Sequence, residues 1–253
     1  WANEVNDGKT VYSPTSEVTI DVVQRNLITP RCLKDVPTQK ERTKDNAEVF
    51  TPLWMVKNQN DQLDQHIENL EDYTKRTWLE ITCGEAPYMV SRYDMEIGVV
   101  IPLQERQGFL DRKLRRINQE VDDFCEWQRL VEWAFKASYG FEWSGDSLFL
   151  ARENLLGTYF DYFVEKWDEG PNNCFIDIIA EIISYNIFQM DGLTGHLPLL
   201  TTDASDPESQ QLTIVFDVVG EESEDFVIKQ ELIPVLIKNW QKNRMEPFEW
   251  FGE

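Results

Sequence analysis

Histidine is scarce in this chain: His66 and His196 are the only two in 253 residues. There is no nucleophile elbow, so a Ser-His-Asp or Cys-His hydrolase has nothing to work with, and a histidine-based metal site has too few ligands. Each histidine reads as a surface or loop residue. Four cysteines (Cys32, Cys83, Cys125, Cys174) are scattered without a CxxC pair, which points away from structural zinc and toward a reducing compartment. No apolar run is long enough to span a bilayer; the longest, from Phe175 to Ile183, carries Asp177 and Glu181. No signal-peptide pattern is visible, and the expectation is a cytoplasmic protein with no membrane partner. Positive charge is also short, with 24 Lys and Arg against 46 Asp and Glu and a net charge of −22. That balance excludes a protein that coats nucleic acid through a generally basic surface, while leaving room for a local basic groove.

What is present suffices for one sizeable core, since 42% of the residues are hydrophobic and 12% aromatic. Residues 1–45 are polar, lack periodicity and are broken at Pro30 and Pro37, so they read as an extended arm. Residues 46–253 read as one domain. A turn at Thr51-Pro52 leads into a helix reaching Gln65, and Thr77 to Cys83 is a buried strand closed by Gly84. Phe124 to Ser138 carries apolar residues at helical spacing, with Gly140 as its stop and Phe141 to Trp143 as a short strand. A helix capped by Asp146 runs to about Lys166, then come a helix from Phe175 to Tyr185 and a strand from Asn186 to Asp191. Strand alternating with helix predicts a parallel sheet with covering helices. Residues 95–122 form an insertion between the first two strands. Leu199 to Ile228 has no Lys or Arg; it reads as an acidic loop at about 199–211, then a strand from Leu212 to Val219. Glu231 to Lys242 reads as a helix interrupted at Pro234.

The chemistry-bearing residues sit at the ends of those strands. Glu80 lies late in the first strand and Gly84 just after it, where a tight turn can present amides and a carboxylate to an amino-acid group. Glu142 ends the second strand, the usual place for a ribose-binding acid. Asp191 ends the third, suited to an adenine amine, and Phe50 is available to stack on a purine. Arg112, Lys113, Arg115 and Arg116 form a basic cluster that could contact DNA. Asp111-Arg112-Lys113 also matches the loose acid-x-Lys pattern of metal-dependent nucleases, which is common by chance. Further cations gather at Lys34, Lys40, Arg42 and Lys44, and at Lys238, Lys242 and Arg244.

These words in this order resemble the adenine-specific N6 DNA methyltransferases whose EVFTP-type motif precedes the S-adenosylmethionine motif. The motifs are Ala47 to Pro52 with Arg42-Thr43, Leu79 to Asp94, Leu110 to Arg115 and Ile182 to Gly195. More narrowly, the chain is similar to short proteins described as restriction endonuclease subunit M. The resemblance implies a Rossmann-like methyltransferase sheet with helices on both faces, incomplete or degenerate in its C-terminal half. It implies S-adenosylmethionine as cofactor, with Phe50, Thr51 and Pro52 on its adenine side. Glu80 and Gly84 would meet its methionine end, Glu142 its ribose and Asp191 its adenine amine. DNA would be the substrate, and a protein partner would supply target recognition or catalytic parts. The chain departs from the family where a flipped adenine needs an Asn/Asp-Pro-Pro-aromatic turn: no Pro-Pro pair occurs. A relative that has lost catalysis and serves as a binding module is the alternative. An acidic DNA mimic or anti-restriction protein is another.

Overall fold

The computed structural model describes residues 5–6, 11–12, 19–25, 28–46, 51–64, 67–190, 192, 195 and 235–248. Its centre is a three-stranded parallel sheet made of β3 (Trp78–Glu80), β4 (Ser138–Glu142) and β5 (Ile187–Gln189), neighbours in that order. Parallel neighbours need a crossover, and helices provide both. The first is α6 (Phe124–Lys136); the second is α7 (Gly145–Trp167) followed by α8 (Asn173–Asn186). Asp123 caps α6 by accepting from the Glu126 amide at 2.9 Å, and Asn172 caps α8 by accepting from Phe175 at 3.2 Å. The apolar spacing of α6 turns Trp127, Leu130, Val131, Ala134 and Phe135 inward, and all are buried.

Strand alternation sorts the sheet into two faces. Trp78 and Ile187 join the main core with the helices, around an aromatic cluster in which Trp127 meets Phe163 edge-on at 5.4 Å. Leu79, Phe141 and Phe188 point the other way. Among the described residues they pack against Val235, Ile237 and Phe248, at the hairpin of β6 (Leu236–Asn239) and β7 (Arg244–Pro247). Asn186 joins the layers. Its amide nitrogen donates to the carbonyls of Phe135, Lys136 and Ser138, and its oxygen accepts from the Trp240 indole at 2.7 Å.

Residues 95–122 contain α5 (Phe109–Glu120), which buries Leu110, Leu114 and Ile117 and stacks Phe109 on Trp78 at 4.9 Å. Before the sheet come the short strands β1 (Val5–Asn6) and β2 (Val11–Tyr12), paired with each other. Then follow α1 (Ile20–Gln24), a 3₁₀ turn (Arg31–Leu33), α2 (Val36–Asn46), α3 (Leu53–Leu63) and α4 (Leu70–Lys75).

Four expectations change. Asp146 does not cap α7: Ser144 holds the cap position, and Asp146 lies in the first turn, where Arg42 and Lys34 take its carboxylate. The arm is helical over much of its described length rather than extended. Polar contacts fix α2, among them the Asp35 carboxylate accepting from the Thr38 amide, so no apolar period announces it. Gly140 stands inside β4 instead of ending α6; Met89 crosses so closely that a Cβ there would lie 2.3 Å from its methyl carbon. The segment read as a helix from Glu231 to Lys242 is strand from Leu236 onward. Asn243 turns the hairpin at φ 49°, a left-handed value that asparagine tolerates. The acidic loop at about 199–211 and the strand from Leu212 to Val219 lie outside the described residues, as do both histidines. No helix among the described residues is long and apolar enough to cross a membrane.

Candidate functional site

The sheet's carboxyl end opens into a cleft of about 690 Å³. Its floor is the turn after β3, in which every second residue is left-handed: Thr82 at φ 54°, Gly84 at 56° and Ala86 at 64°. The loop is held at both ends by backbone bonds, Cys83 N to Phe141 O and Ala86 N to Cys83 O, each 2.7 Å. Ala86 occupies its conformation at a cost that glycine would avoid, and it is fully buried.

Three carboxylates brace this turn, each in a different way. Glu80 leans across it and accepts from the amides of Tyr88 at 3.2 Å and Met89 at 2.9 Å. Glu142 comes from the neighbouring strand, accepting from Gly84 N at 2.7 Å and Ser144 N at 2.9 Å. Glu85 accepts from Arg31 N at 2.7 Å and from the Tyr93 hydroxyl. Asn154 on α7 completes that cluster, donating to the Glu85 carbonyl and to the Tyr93 oxygen, both at 3.0 Å. Burial pushes the Glu80 carboxyl up to about 8, against its two amide bonds and with help from the charge of Glu142. Burial also drives the Cys83 thiol well above its ordinary range, so it is no nucleophile at neutral pH.

The structure brings Thr51, Glu80, Gly84 and Glu142 together on the lining of this one cleft. Glu80 reaches the loop's own amides, so part of its capacity goes to shaping the turn. Pro52 starts α3, its carbonyl accepting from Met55 and Val56, and is not on the lining. Phe50 and Asp191 lie outside the described residues. Sequence reasoning gave no role in this cleft to Glu85, Tyr93, Asn154 or the arm residue Arg31, and placed Lys44 only in a basic patch. Their roles depend on distant partners, with no spacing to mark them.

The four cations of the basic cluster on α5 are all engaged by protein acceptors, and one of them is buried. Lys113 is fully buried, its ammonium donating to the carbonyls of Thr74 and Arg76 at the end of α4, and burial lowers it to about 7. That also removes it from any acid-x-Lys site. Arg112 pairs with Asp61 and Asp64. Arg115 donates to Leu103 O and Arg106 O; Arg116 donates to Ile67 O and Glu68 O. These cations fasten the insertion to its surroundings. Among the described residues no group of three or more His, Cys, Asp or Glu could hold a metal ion.

A second cavity of about 580 Å³ lies on the opposite sheet face, between Leu79, Tyr139, Phe141 and the hairpin. Its lysines lie over the Trp133 and Trp240 rings, and it gathers none of the strand-end acids. No family model, curated protein or solved structure matches the chain.

Proposed function

We propose that the chain is a Rossmann-like, S-adenosylmethionine-binding domain of the adenine-N6 DNA methyltransferase type, serving as a modification subunit of a restriction-modification system. One observation carries this reading. Thr51, Glu80, Gly84 and Glu142, drawn from three separate motifs, line a single cleft at the carboxyl ends of parallel strands. That is where open α/β sheets bind their ligands.

The donor set fits the cofactor. Glu142, on the second strand, suits a ribose diol, and the buried acids suit an amino-acid ammonium and a sulfonium. The left-handed turn lets a ligand approach the backbone closely. When bound, the cofactor supplies an activated methyl group. The chain's own residues orient that ligand: Glu142 fixes the Gly84 amide, Glu80 the amides of Tyr88 and Met89. Direct in-line transfer needs no covalent enzyme intermediate, so the buried state of Cys83 is no obstacle.

Catalysis on adenine requires an acceptor turn for the exocyclic amine. Glu85-Ala86-Pro87-Tyr88, the nearest match, belongs to the turn after β3, with Pro87 and Tyr88 on the cleft lining. A partner subunit supplying base recognition is therefore part of the proposal. Thermal unfolding with and without S-adenosylmethionine tests it, with ATP as the control ligand. The reading expects a concentration-dependent rise in Tm with S-adenosylmethionine and none with ATP. Equal shifts, or no shift with either, would reject it.

A further inference from the structure

The cleft is ordered by charge. Glu80, Glu85 and Glu142 are buried along one wall, each with oxygens already receiving protein donors. That wall favours hydroxyls and cations. Its oxygens offer a carboxylate no donor, and an amino-acid group carries a carboxylate as well as an ammonium. The carboxylate needs a donor elsewhere on the lining.

The arm supplies the cations there, Arg31 and Lys44. Arg31 is buried, and its guanidinium turns back into the arm toward Gln39 O at 3.3 Å and Thr43 Oγ1 at 2.5 Å. Lys44 is different. It stands exposed in the last turn of α2 and makes no hydrogen bond or ion pair with the described residues. Its position is nevertheless fixed. Two residues earlier, Arg42 meets Asp146 at 2.8 Å, with both side chains nearly buried, and Lys34 reaches the same carboxylate at 3.5 Å. Burial works to raise the Asp146 carboxyl, but Arg42 and Lys34 outweigh it and hold it below its ordinary value. This charged node pins α2 to the first turn of α7 and keeps Lys44 at the rim.

We infer that Lys44 is a ligand-binding residue that holds the carboxylate of the ligand's amino-acid end, on the lining that the arm contributes. The inference rests on the cofactor reading above and goes beyond it by assigning a residue and a ligand group. It predicts which chemical change in the ligand cancels which change in the protein.

The test titrates S-adenosylmethionine and its decarboxylated form into the native protein, Lys44→Ala and Lys44→Arg. Lys44→Ala should weaken S-adenosylmethionine about fivefold to tenfold, the scale of one charge-assisted contact. Decarboxylated ligand should bind Lys44→Ala as well as native protein, or slightly better, since a repulsive charge is gone. Lys44→Arg should stay close to native for both. If Lys44→Ala weakens both ligands equally, or neither, the assignment of Lys44 is wrong while the cofactor site stands. If the native protein binds neither ligand, the cofactor reading fails and this inference with it.

Discussion

Glu142 at the end of β4 accepts a hydrogen bond from the amide of Gly84 at 2.7 Å, joining the second strand to the turn that follows the first. Its other oxygen accepts from Ser144 N. One side chain thus shapes the floor of the cleft and the entry to α7. Glu142→Ala leaves two amides without their acceptor and should lower stability by about 2 kcal/mol. Glu142→Gln keeps one carbonyl acceptor and should lose about half of that. Urea unfolding midpoints of the two variants check the order, and equal midpoints would contradict it.

Two glycines separate backbone strain from crowding. Gly84 is left-handed with nothing within 4 Å of an added Cβ, so Gly84→Ala should cost about 1 kcal/mol, from conformation alone. At Gly108 the Cβ would fall 2.1 Å from the Met89 carbonyl oxygen, which cannot swing aside like a side chain. Gly108→Ala should cost about 3 kcal/mol or more. Chemical denaturation of both would expose an error if Gly84→Ala proved the more damaging.

Glu80 gives the fold a pH signature. Its carboxyl is raised from 4.5 to about 8, so the folded state holds a proton that the unfolded chain releases more readily. This contribution is fully present below pH 4.5 and is lost as pH rises toward 8. Asp111, raised to about 6, acts in the same sense at lower pH, whereas Lys113, lowered to about 7, acts oppositely above it. Subtracting the stability curve of Glu80→Gln from that of the native protein cancels those two. The difference should fall steadily from pH 4.5 to 8; a flat line would show that Glu80 titrates normally.

The arm's attachment depends on Asp146. Asp146→Ala removes the carboxylate that Arg42 and Lys34 share beside α7 and should cost about 3 kcal/mol. Limited proteolysis should then cut residues 28–46 faster than in the native protein. Unchanged cutting would mean that other contacts, the Arg31–Glu85 amide bond among them, hold the arm.

The central α/β pattern was legible because burial writes itself into spacing. Trp127, Leu130, Val131, Ala134 and Phe135 recur at the helical period, and Gly84 marks the turn after β3. The strand-end acids Glu80 and Glu142 followed from that pattern. Polar structure left no such trace. Lys113 looks like a surface cation in the sequence, yet the carbonyls of Thr74 and Arg76 draw it inside. Residues of α2 depend on Asp146, far along the chain, and Gly140 read as a helix stop because nothing local announces the crossing of Met89. Contacts between distant polar groups have no period.

Isothermal titration with S-adenosylmethionine tests directly whether the cleft holds the cofactor. Native protein should bind in the micromolar range, and Glu142→Gln, still folded, should bind at least about tenfold more weakly. The demethylated product should compete for the same site. Absence of heat at millimolar cofactor, or full affinity in Glu142→Gln, would contradict the assignment of this cleft.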